Sequence, residues 1–407
     1  MKVIEGGVTA AKGYKAAGLR AGIKAGKTNK DMAMIYSEKE AVCAGTFTKN
    51  VVKAAPVFWD KDVVYKEGKA QAVVVNSGIA NACTGEEGLS NCKKEAEKAG
   101  ELLSIAPEHV LVASTGVIGA QLVMDVVEKG IEMLVPELDS GKEAGENAAT
   151  AIMTTDTHKK EIAVECTLGG KTVTIGGMCK GAGMIHPNMG TMLSFITSDA
   201  AIDQKLLQQF LSEIVEDTFN MISVDGDTST NDTCLVLCNG LAENPVITEE
   251  DEDGKEFKAA LAYVMEYLAK QIAAAHKEGE QLGLTADELA FYDALTKPQA
   301  IKDFYENEEL IAITKELADT LRKNRTIDWQ KRDSARARMR MMIKRLLKKH
   351  RYPPEGMDDA VQTVMTQCEL WTDNNDMELA QKGTDIYTYS QKPDFGKVAE
   401  ESVPYGN

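Results

Sequence analysis

The pattern of the chain changes near residue 257, and this change constrains the possible folds more than any other feature. Before it, short apolar runs bounded by Gly, Asn, Ser or Thr alternate with amphipathic stretches, whereas nearly every pattern after it is helical. Residues 1–257 hold 27 of the 33 Gly and one Arg, while residues 258–407 hold six Gly and eight Arg. One hydrophobic core rarely changes composition so sharply, so we predict two segments of different origin.

The first segment predicts an α/β fold. Its apolar runs are typical of strands and cover residues 72–76, 110–114, 161–166, 171–175, 192–196 and 233–237. Amphipathic helices are predicted at residues 86–104, 121–136 and 203–219. Alternating strands and helices favour the α/β class. We interpret the acidic run at residues 249–256 as a solvated loop.

The second segment predicts helices throughout. Residues 322–351 carry thirteen Lys or Arg and two Asp. One apolar face runs along this stretch at helical spacing, through Met339, Met342, Ile343, Leu346 and Leu347. Thr285 and Glu288 fit a capping box at the start of an earlier helix, and the prolines of YPPEG (352–356) stop the basic one. The residues after 374 lack periodicity and are expected to form a loose tail.

Composition excludes several classes of protein. The 407 residues carry a formal net charge of −17, which argues against non-specific binding to nucleic acid or anionic membranes. No apolar run approaches the ~20 residues of a membrane span, and the first residues lack a signal-peptide core, so we expect a cytoplasmic protein. The eight Cys form no CxxC pair and are expected to be reduced, with Cys234 and Cys238 in the core. The five His lack ligand spacing, which makes a metal site unlikely.

A phosphate-loop-like pattern, AGIKAGKT, occupies residues 21–28. A functional phosphate loop follows a buried strand, and the preceding residues, YKAAGLR, are not predicted to form a strand. We therefore interpret residues 21–28 as a basic surface turn instead of a nucleotide site.

The sequence KGAGMIHPNMGTMLSF (180–195) carries the densest chemical signal. Thr191 begins an apolar run after a Gly-rich loop, so it is either an ordinary strand-edge residue or a nucleophile freed by cleavage of the bond before it. STGVIG (114–119) is either a strand-to-loop oxyanion hole or a helix N-cap. TTDT (154–157) is either a polar binding loop or a turn. NSGIANACTG (76–85) and SVDGDTSTND (223–232) are polar loops placed where sites tend to form.

Six motifs together carry a resemblance over residues 1 to about 272. They are GVTAAKGYKAAG, NSGIANACTG, STGVIG, MTTDT, KGAGMIHPNMGTML and SVDGDTSTNDT, in order along the chain. On these motifs the segment resembles the ornithine acetyltransferase family, also called the glutamate N-acetyltransferase family of arginine biosynthesis. The resemblance implies a mixed sheet with helix layers, a Thr nucleophile and self-cleavage.

Site roles follow from the resemblance residue by residue. The precursor would cut itself between Gly190 and Thr191, although the family usually has Ala where Gly190 stands. Thr191 would then take an acetyl group from N-acetylornithine and pass it to glutamate. Thr115 and Gly116 match the oxyanion-hole pair, and Thr154, Lys180 and Thr191 match substrate-binding positions. The resemblance implies no metal or organic cofactor, leaves acetyl-CoA open as a second donor, and implies a tetramer of two chains of each kind.

The resemblance stops near residue 272. The family's further strands and C-terminal pocket residues are absent, and residues 273–374 instead resemble the C-terminal helical region of the R subunit of type I restriction enzymes. The FYDAL block, RTIDWQKRDSARARMR and the RYPPE corner carry this second match. We predict four parts: 1–190 and 191–272, like the two acetyltransferase chains, then 273–374 and a flexible tail at 375–407.

The resemblance leaves three functions open. The first is a glutamate N-acetyltransferase, with stability and activity expected to be reduced because a shortened sheet would leave edges and apolar faces uncovered. The second is a helical module in which residues 322–351 contact DNA or dock onto a restriction complex. The third is a Thr-nucleophile amidase or aminopeptidase that releases acyl groups to water.

Overall fold

A computed structural model describes most of the chain. The described residues are 1–24, 28–154, 156, 158–181, 192–222, 229–281, 284, 288, 291–292, 295, 307–324, 333–353, 357–358 and 360–365.

Within the described residues, nine strands form one mixed sheet. In chain order they are β1 Lys2–Ile4, β2 Tyr14–Leu19, β3 Met32–Phe47, β4 Lys69–Ile79, β5 Val110–Val117, β6 Lys160–Leu168, β7 Lys171–Lys180, β8 Leu193–Ser198 and β9 Thr233–Cys238. Their order across the sheet is β1-β6-β7-β8-β9-β3-β4-β5, and β2 pairs with β3. The β4–β5 and β8–β9 pairs are parallel, whereas the other pairs are antiparallel.

Helices flank the sheet and then continue alone. They are α1 Ala55–Asp62, α2 Gly85–Leu103, α3 Met124–Leu134, α4 Lys142–Ala151, α5 Gln204–Asp217, α6 Glu252–Gln281, α7 Asn307–Asn324 and α8 Asp333–Lys349. The predicted α/β class, followed by a helical C-terminal segment, is confirmed.

Strand alternation divides the core between the two faces of the sheet. On β3, Met32 and Met34 pack with α2 and α3, whereas Ala33 and Ile35 belong to a different core cluster on the opposite face. That second cluster also contains Ala113 of β5 and Met178 of β7, although four strands separate β5 from β7 in the sheet order. The sheet therefore curves around this cluster and brings β5 and β7 close together.

The six predicted strands are all present, as are the three predicted helices, of which α2 begins and ends one residue earlier than predicted, and α3 and α5 are shorter than predicted. The sequence reasoning did not assign β1, β3, α1 or α4. It was wrong about YKAAGLR, which it did not take as a strand, because β2 spans Tyr14–Leu19. Strand β3 is hard to recognise because its middle, Ser37–Glu40, is polar, and its pairing with β4 shifts there between Tyr36 and Ala41. The predicted burial of Cys234 and Cys238 is confirmed, and both thiols are free.

The interpretation of residues 249–256 as a loop is wrong in its second half, because α6 begins at Glu252. Asp251 explains this start, since its Oδ1 accepts a hydrogen bond from the Gly254 amide at 2.9 Å. Glu252 and Asp253 then lie in the first turn, where negative charge stabilises a helix. Helix α6 continues without a break past residue 272 to Gln281.

The expected uncovered edge is not found at β5, the last strand of the sheet. Trp59 Nε1 donates to the Val110 carbonyl at 2.9 Å, and Asp60 Oδ1 accepts from the Val112 amide at 2.8 Å. Asn231 Nδ2 donates to the Ser114 carbonyl at 2.8 Å. Side chains therefore satisfy the backbone groups that a neighbouring strand would otherwise pair. Residues Val110 to Thr115 of this strand are buried.

The C-terminal helices build a core of their own. It joins residues between Leu284 and Met365, and it buries the predicted apolar face of α8, with Met342 partly buried. The predicted basic helix at 322–351 is divided between the end of α7 and α8. Thr285 of the predicted capping box and the tail at 375–407 lie outside the described residues. Among described helices, none combines the length and apolar character that a membrane crossing requires.

Candidate active site

Thr115 and Gly116 lie within β5, which runs to Val117, so neither a loop corner nor a helix N-cap describes them. The parallel register pairs Gly116 with Gly78 of β4. Gly116 has φ +132°, and a Cβ on it would lie 2.3 Å from the Gly78 carbonyl carbon. Only glycine fits here, because the two strand ends approach each other too closely for a side chain.

From the alternation of backbone groups along β5 we infer that the Gly116 amide is directed away from β4. Along a strand, the backbone N–H and C=O groups of one residue point to one side and those of the next residue point to the other. On the side of β5 away from β4, the Val112 N–H donates to Asp60 and the Ser114 C=O accepts from Asn231. Gly116 follows the same alternation. An N–H group directed out of the sheet at a strand end can stabilise an oxyanion.

Lys180, the last residue of β7, reaches this strand end. Its Nζ donates a hydrogen bond to Thr115 Oγ1 at 3.1 Å, and both side chains are buried. Burial lowers the pKa of Lys180, an effect that the nearby Asp156 carboxylate partly opposes. Since Thr115 Oγ1 accepts from the ammonium, its own O–H remains able to donate to another acceptor.

Asp156 is the anionic centre of the site. Its Oδ1 accepts from Lys160 Nζ at 2.6 Å and from the Gly181 amide at 2.8 Å. Burial would raise the pKa of Asp156, but the ammonium groups of Lys160 and Lys180 and these hydrogen bonds outweigh it and lower the pKa to about 2. Its Oδ2 accepts from the Thr154 amide at 3.3 Å. Two buried cations thus surround one carboxylate, which leaves a net positive environment.

Asp232 anchors the start of β8. Its Oδ1 accepts from the Met192 amide at 3.0 Å, and the carboxyl group is completely buried. Burial raises the pKa of Asp232 well above its usual range. Leu193, the next residue, pairs with Lys180 across the β7–β8 ladder.

Asn231 joins the two polar loops that the sequence singled out. Its Nδ2 donates to the carbonyl of Ala80 at 2.6 Å and to that of Ser114 at 2.8 Å. The residues after β4 and those before β9 therefore meet at the end of β5, beside Thr115.

The structure brings Thr115, Gly116, Lys180 and the Thr154 backbone into one network. Gly190 and Thr191 lie outside the described residues, so their predicted roles remain predictions. Sequence reasoning missed specific roles for Lys24, Asp156, Lys160, Asn231 and Asp232. Three sequence patterns contain four of these residues. Asp156 lies in the motif MTTDT, Asn231 and Asp232 lie in the loop at 223–232, and Lys24 lies in the pattern at 21–28.

The interpretation of residues 21–28 as a basic surface turn is wrong for Lys24, which is only 7% exposed. The carboxylate of Asp31 accepts hydrogen bonds from the amides of Ala21, Gly22 and Lys24 at 2.6 to 3.3 Å. These three amides of the phosphate-loop-like pattern are therefore occupied by the protein's own carboxylate, whereas residues 25–27 of the pattern lie outside the described residues.

Metal ligation finds no support in the described part of the chain. No group of three or more His, Cys, Asp or Glu there could hold a metal ion.

The fold and site define an α/β protein with a buried, cationic polar site at the ends of β5 and β7. The chain belongs to the ArgJ family, whose sequence model matches residues 15–283. Curated relatives in this family are named arginine biosynthesis bifunctional proteins. The arginine biosynthesis bifunctional protein ArgJ of Caldanaerobacter subterraneus is 51% identical over 280 residues, which are 69% of this chain and 68% of that protein.

A second sequence model matches the C-terminal part. It is described as type I restriction enzyme HindI endonuclease subunit-like, C-terminal, and it covers residues 258–374. The two matches overlap along α6.

Two solved structures are also similar. The arginine biosynthesis bifunctional protein argJ of Bacillus halodurans is 40% identical, with a TM-score of 0.43, over 47% of this chain and 97% of that one. The ornithine acetyltransferase of Mycobacterium tuberculosis, complexed with ornithine, is 38% identical, with a TM-score of 0.42, over 47% of this chain and 99% of that one.

Proposed function

We propose that the chain is a glutamate N-acetyltransferase that moves an acetyl group from N-acetylornithine to glutamate through an acetyl-Thr191 intermediate. The hydrogen bond from Lys180 Nζ to Thr115 Oγ1 carries the proposal. It joins the predicted substrate-binding residue Lys180 to the predicted oxyanion-hole residue Thr115, which stand 65 residues apart in the sequence and on strands far apart in the sheet. Membership of the ArgJ family supports the same activity.

Self-cleavage is the first step of the proposal. The Thr191 hydroxyl attacks the Gly190 carbonyl carbon, the peptide C–N bond breaks, and the proton passes to the freed amine. Water then hydrolyses the resulting ester. The products are residues 1–190 and residues 191–407, the second of which begins with the nucleophile and its own amino group as base.

Acetyl transfer then proceeds in two half-reactions. Thr191 Oγ attacks the acetyl carbonyl carbon of N-acetylornithine, and its proton moves to the Thr191 amine. The Thr115 hydroxyl and the Gly116 amide donate to the developing oxyanion. The C–N bond breaks, ornithine leaves with the proton, and the amine of glutamate attacks the acetyl ester in the reverse sense.

Substrate selection follows from the charge of the site. The Lys180 ammonium, which is buried beside Thr115, attracts the substrate carboxylate because the two groups carry opposite charges. Thr154 belongs to the same network, since its amide donates to Asp156. Acetyl-CoA is the alternative acetyl donor in the proposal, and no metal takes part. The processed protein would assemble as two chains of each kind.

Intact mass measurement under denaturing conditions tests the proposal together with an acetyl-transfer assay. We expect two fragments that meet between Gly190 and Thr191, and one uncut chain in Thr191→Ala. Thr150→Ala is the matched control, because Thr150 is exposed on α4 and its hydroxyl donates to the Glu146 carbonyl of the same helix. Full acetyl transfer by the uncut Thr191→Ala chain would rule out this nucleophile.

The same assay separates transfer from hydrolysis. Loss of N-acetylornithine should match the gain of N-acetylglutamate mole for mole. Loss without gain would mean that water accepts the acetyl group, and the amidase alternative would replace the transferase.

A second candidate function concerns the C-terminal helices. Arg338, Met341, Arg345 and Lys348 are exposed on α8 and follow helical spacing along one stripe. Neighbouring bases are instead occupied, since Lys344 pairs with Asp358 at 2.7 Å and Lys349 pairs with Glu316. This stripe supports contact with an anionic partner such as duplex DNA or a restriction-complex protein.

Gel mobility with duplex DNA at increasing salt tests the second candidate. The log of the association constant should fall by about 0.9 per log of salt for each phosphate contact, and Arg338→Glu with Arg345→Glu should abolish the shift. Unchanged mobility of the wild type at low salt would exclude DNA as the partner.

A further inference from the structure

We propose that Lys24 is a positioning residue for substrate binding, because it fixes the backbone that carries Thr154. The inference rests on the proposed function and adds a residue that lies far from the site in the sequence.

The position of Lys24 is set by its own loop. The Lys24 amide donates to Asp31 Oδ2 at 3.0 Å, and the same carboxylate holds the amides of Ala21 and Gly22. Asp31 is completely buried and begins the approach to β3. Three amides bonded to one buried carboxylate fix the backbone of residues 21–24, so the Lys24 side chain leaves it in a fixed direction.

The ammonium group ends on the segment that follows α4. Lys24 Nζ donates to the Met153 carbonyl at 2.9 Å and more weakly to the Lys30 carbonyl at 3.4 Å. The Met153 carbonyl and the Thr154 amide belong to one peptide group. That amide donates to Asp156 Oδ2, so the peptide is held by Lys24 on one side and by Asp156 on the other.

This double restraint matters because a peptide group is planar. Fixing both its C=O and its N–H fixes the plane, and with it the path of the chain into Thr154. Asp156 also binds the Gly181 amide beside Lys180, so the same carboxylate relates the two proposed substrate contacts. Hydrogen bonds thus connect Lys24, through the Met153–Thr154 peptide group and Asp156, to the Gly181 amide next to Lys180.

The stem of Lys24 packs beside the other half of the site. A Cβ added to Gly78 would lie 2.9 Å from Lys24 Cγ, and Gly78 is the register partner of Gly116. Lys24 therefore bridges the strand ends that carry the proposed oxyanion hole and the turn that carries Thr154.

Lys24→Met tests the inference, since it keeps the stem and removes the ammonium. We expect KM for N-acetylornithine to rise roughly tenfold while kcat changes less than threefold, because the nucleophile and oxyanion donors are untouched. Lys24→Arg should recover part of the loss. Tyr14→Phe is the control, because the buried Tyr14 hydroxyl also donates to a backbone carbonyl, that of Leu237, away from the site.

The outcomes separate this inference from the proposed function. If the wild type is active and KM is unchanged in Lys24→Met, the role of Lys24 is overturned but the proposed function stands. The role of Lys24 is also overturned if Tyr14→Phe, at the same loss of Tm, raises KM as much as Lys24→Met does. If the wild type binds ornithine, seen as a rise in Tm, but transfers no acetyl group, the same rise is measured in Lys24→Met. A smaller rise in Lys24→Met supports the role of Lys24, and an equal rise overturns it. If the wild type neither binds nor transfers, both proposals fall. If Lys24→Met does not fold, Lys24→Gln takes its place.

Discussion

Close backbone approach makes Gly116 irreplaceable. In Gly116→Ala the new Cβ would meet the Gly78 carbonyl carbon at 2.3 Å, so the end of β5 must move away from β4. We expect acetyl transfer to fall about 100-fold or more, since the amide and the Thr115 hydroxyl move with the strand. Gly119→Ala is the control, because Gly119 also has positive φ, +83°, yet no atom lies within 4 Å of its Cβ position. Equal losses in both variants would contradict a steric cause.

Glu95 predicts a pH dependence of stability at the residue scale. It is fully buried on α2, neither of its oxygens has a hydrogen-bond partner among the described residues, and burial raises its pKa to about 8. The unfolded chain releases this proton near pH 4.5, whereas the folded chain keeps it until about pH 8. The free energy of unfolding therefore decreases between these values, by up to about 1.4 kcal/mol per pH unit.

Glu95→Gln removes this titration. We expect the variant to gain stability relative to the wild type as pH rises from 4.5 to 8, measured by urea unfolding at several pH values. Glu97→Gln, an exposed position on the same helix, should show no such trend. A constant difference between Glu95→Gln and the wild type across this range would show that Glu95 does not titrate as argued.

At the scale of elements, side chains replace a neighbouring strand along β5. Asn231→Ala would leave the carbonyls of Ala80 and Ser114 without a donor, at a cost of about 1–3 kcal/mol. Trp59→Phe removes one donor at the other end of β5, from Val110. We expect both variants to lose stability in urea, but only Asn231→Ala to lose transfer activity as well, because Ser114 adjoins Thr115. Loss of activity in both would indicate that β5 responds as a whole.

The sequence predicts most of the elements and part of the site, for identifiable reasons. Local apolar patterns indicate β5, β7 and β9, and the motif resemblance marks Thr115, Thr154 and Lys180. The Lys24 interaction was missed because its partner, Met153, is a backbone carbonyl 129 residues away. Backbone acceptors leave no trace in side-chain patterns. The role of Asp156 was missed for a related reason, since β7 brings the Gly181 amide to it from a distant part of the chain.

For the whole molecule, α6 joins two cores that the composition separates. Its first part, through Ile272, belongs to the core of the sheet, whereas a separate core begins at Leu284. The covered edge of β5 and the burial of α6 against β6 and β7 imply that the sheet and α6 unfold as one unit. The core of the acetyltransferase-like part therefore extends along α6 through Ile272.

Truncation at two positions tests this boundary by calorimetry. A chain of residues 1–283 should melt cooperatively with the same Tm as the sheet transition of the full chain. A chain of residues 1–251 should fail to fold. It exposes the surface that α6 covers with Phe257, Ala260, Leu261, Val264, Met265, Leu268 and Ile272. Burial of these side chains contributes on the order of 10 kcal/mol, comparable with the whole stability of a domain. If residues 1–283 unfold without cooperativity while the full chain melts sharply, the C-terminal helices stabilise the sheet directly, and the two cores form one folding unit.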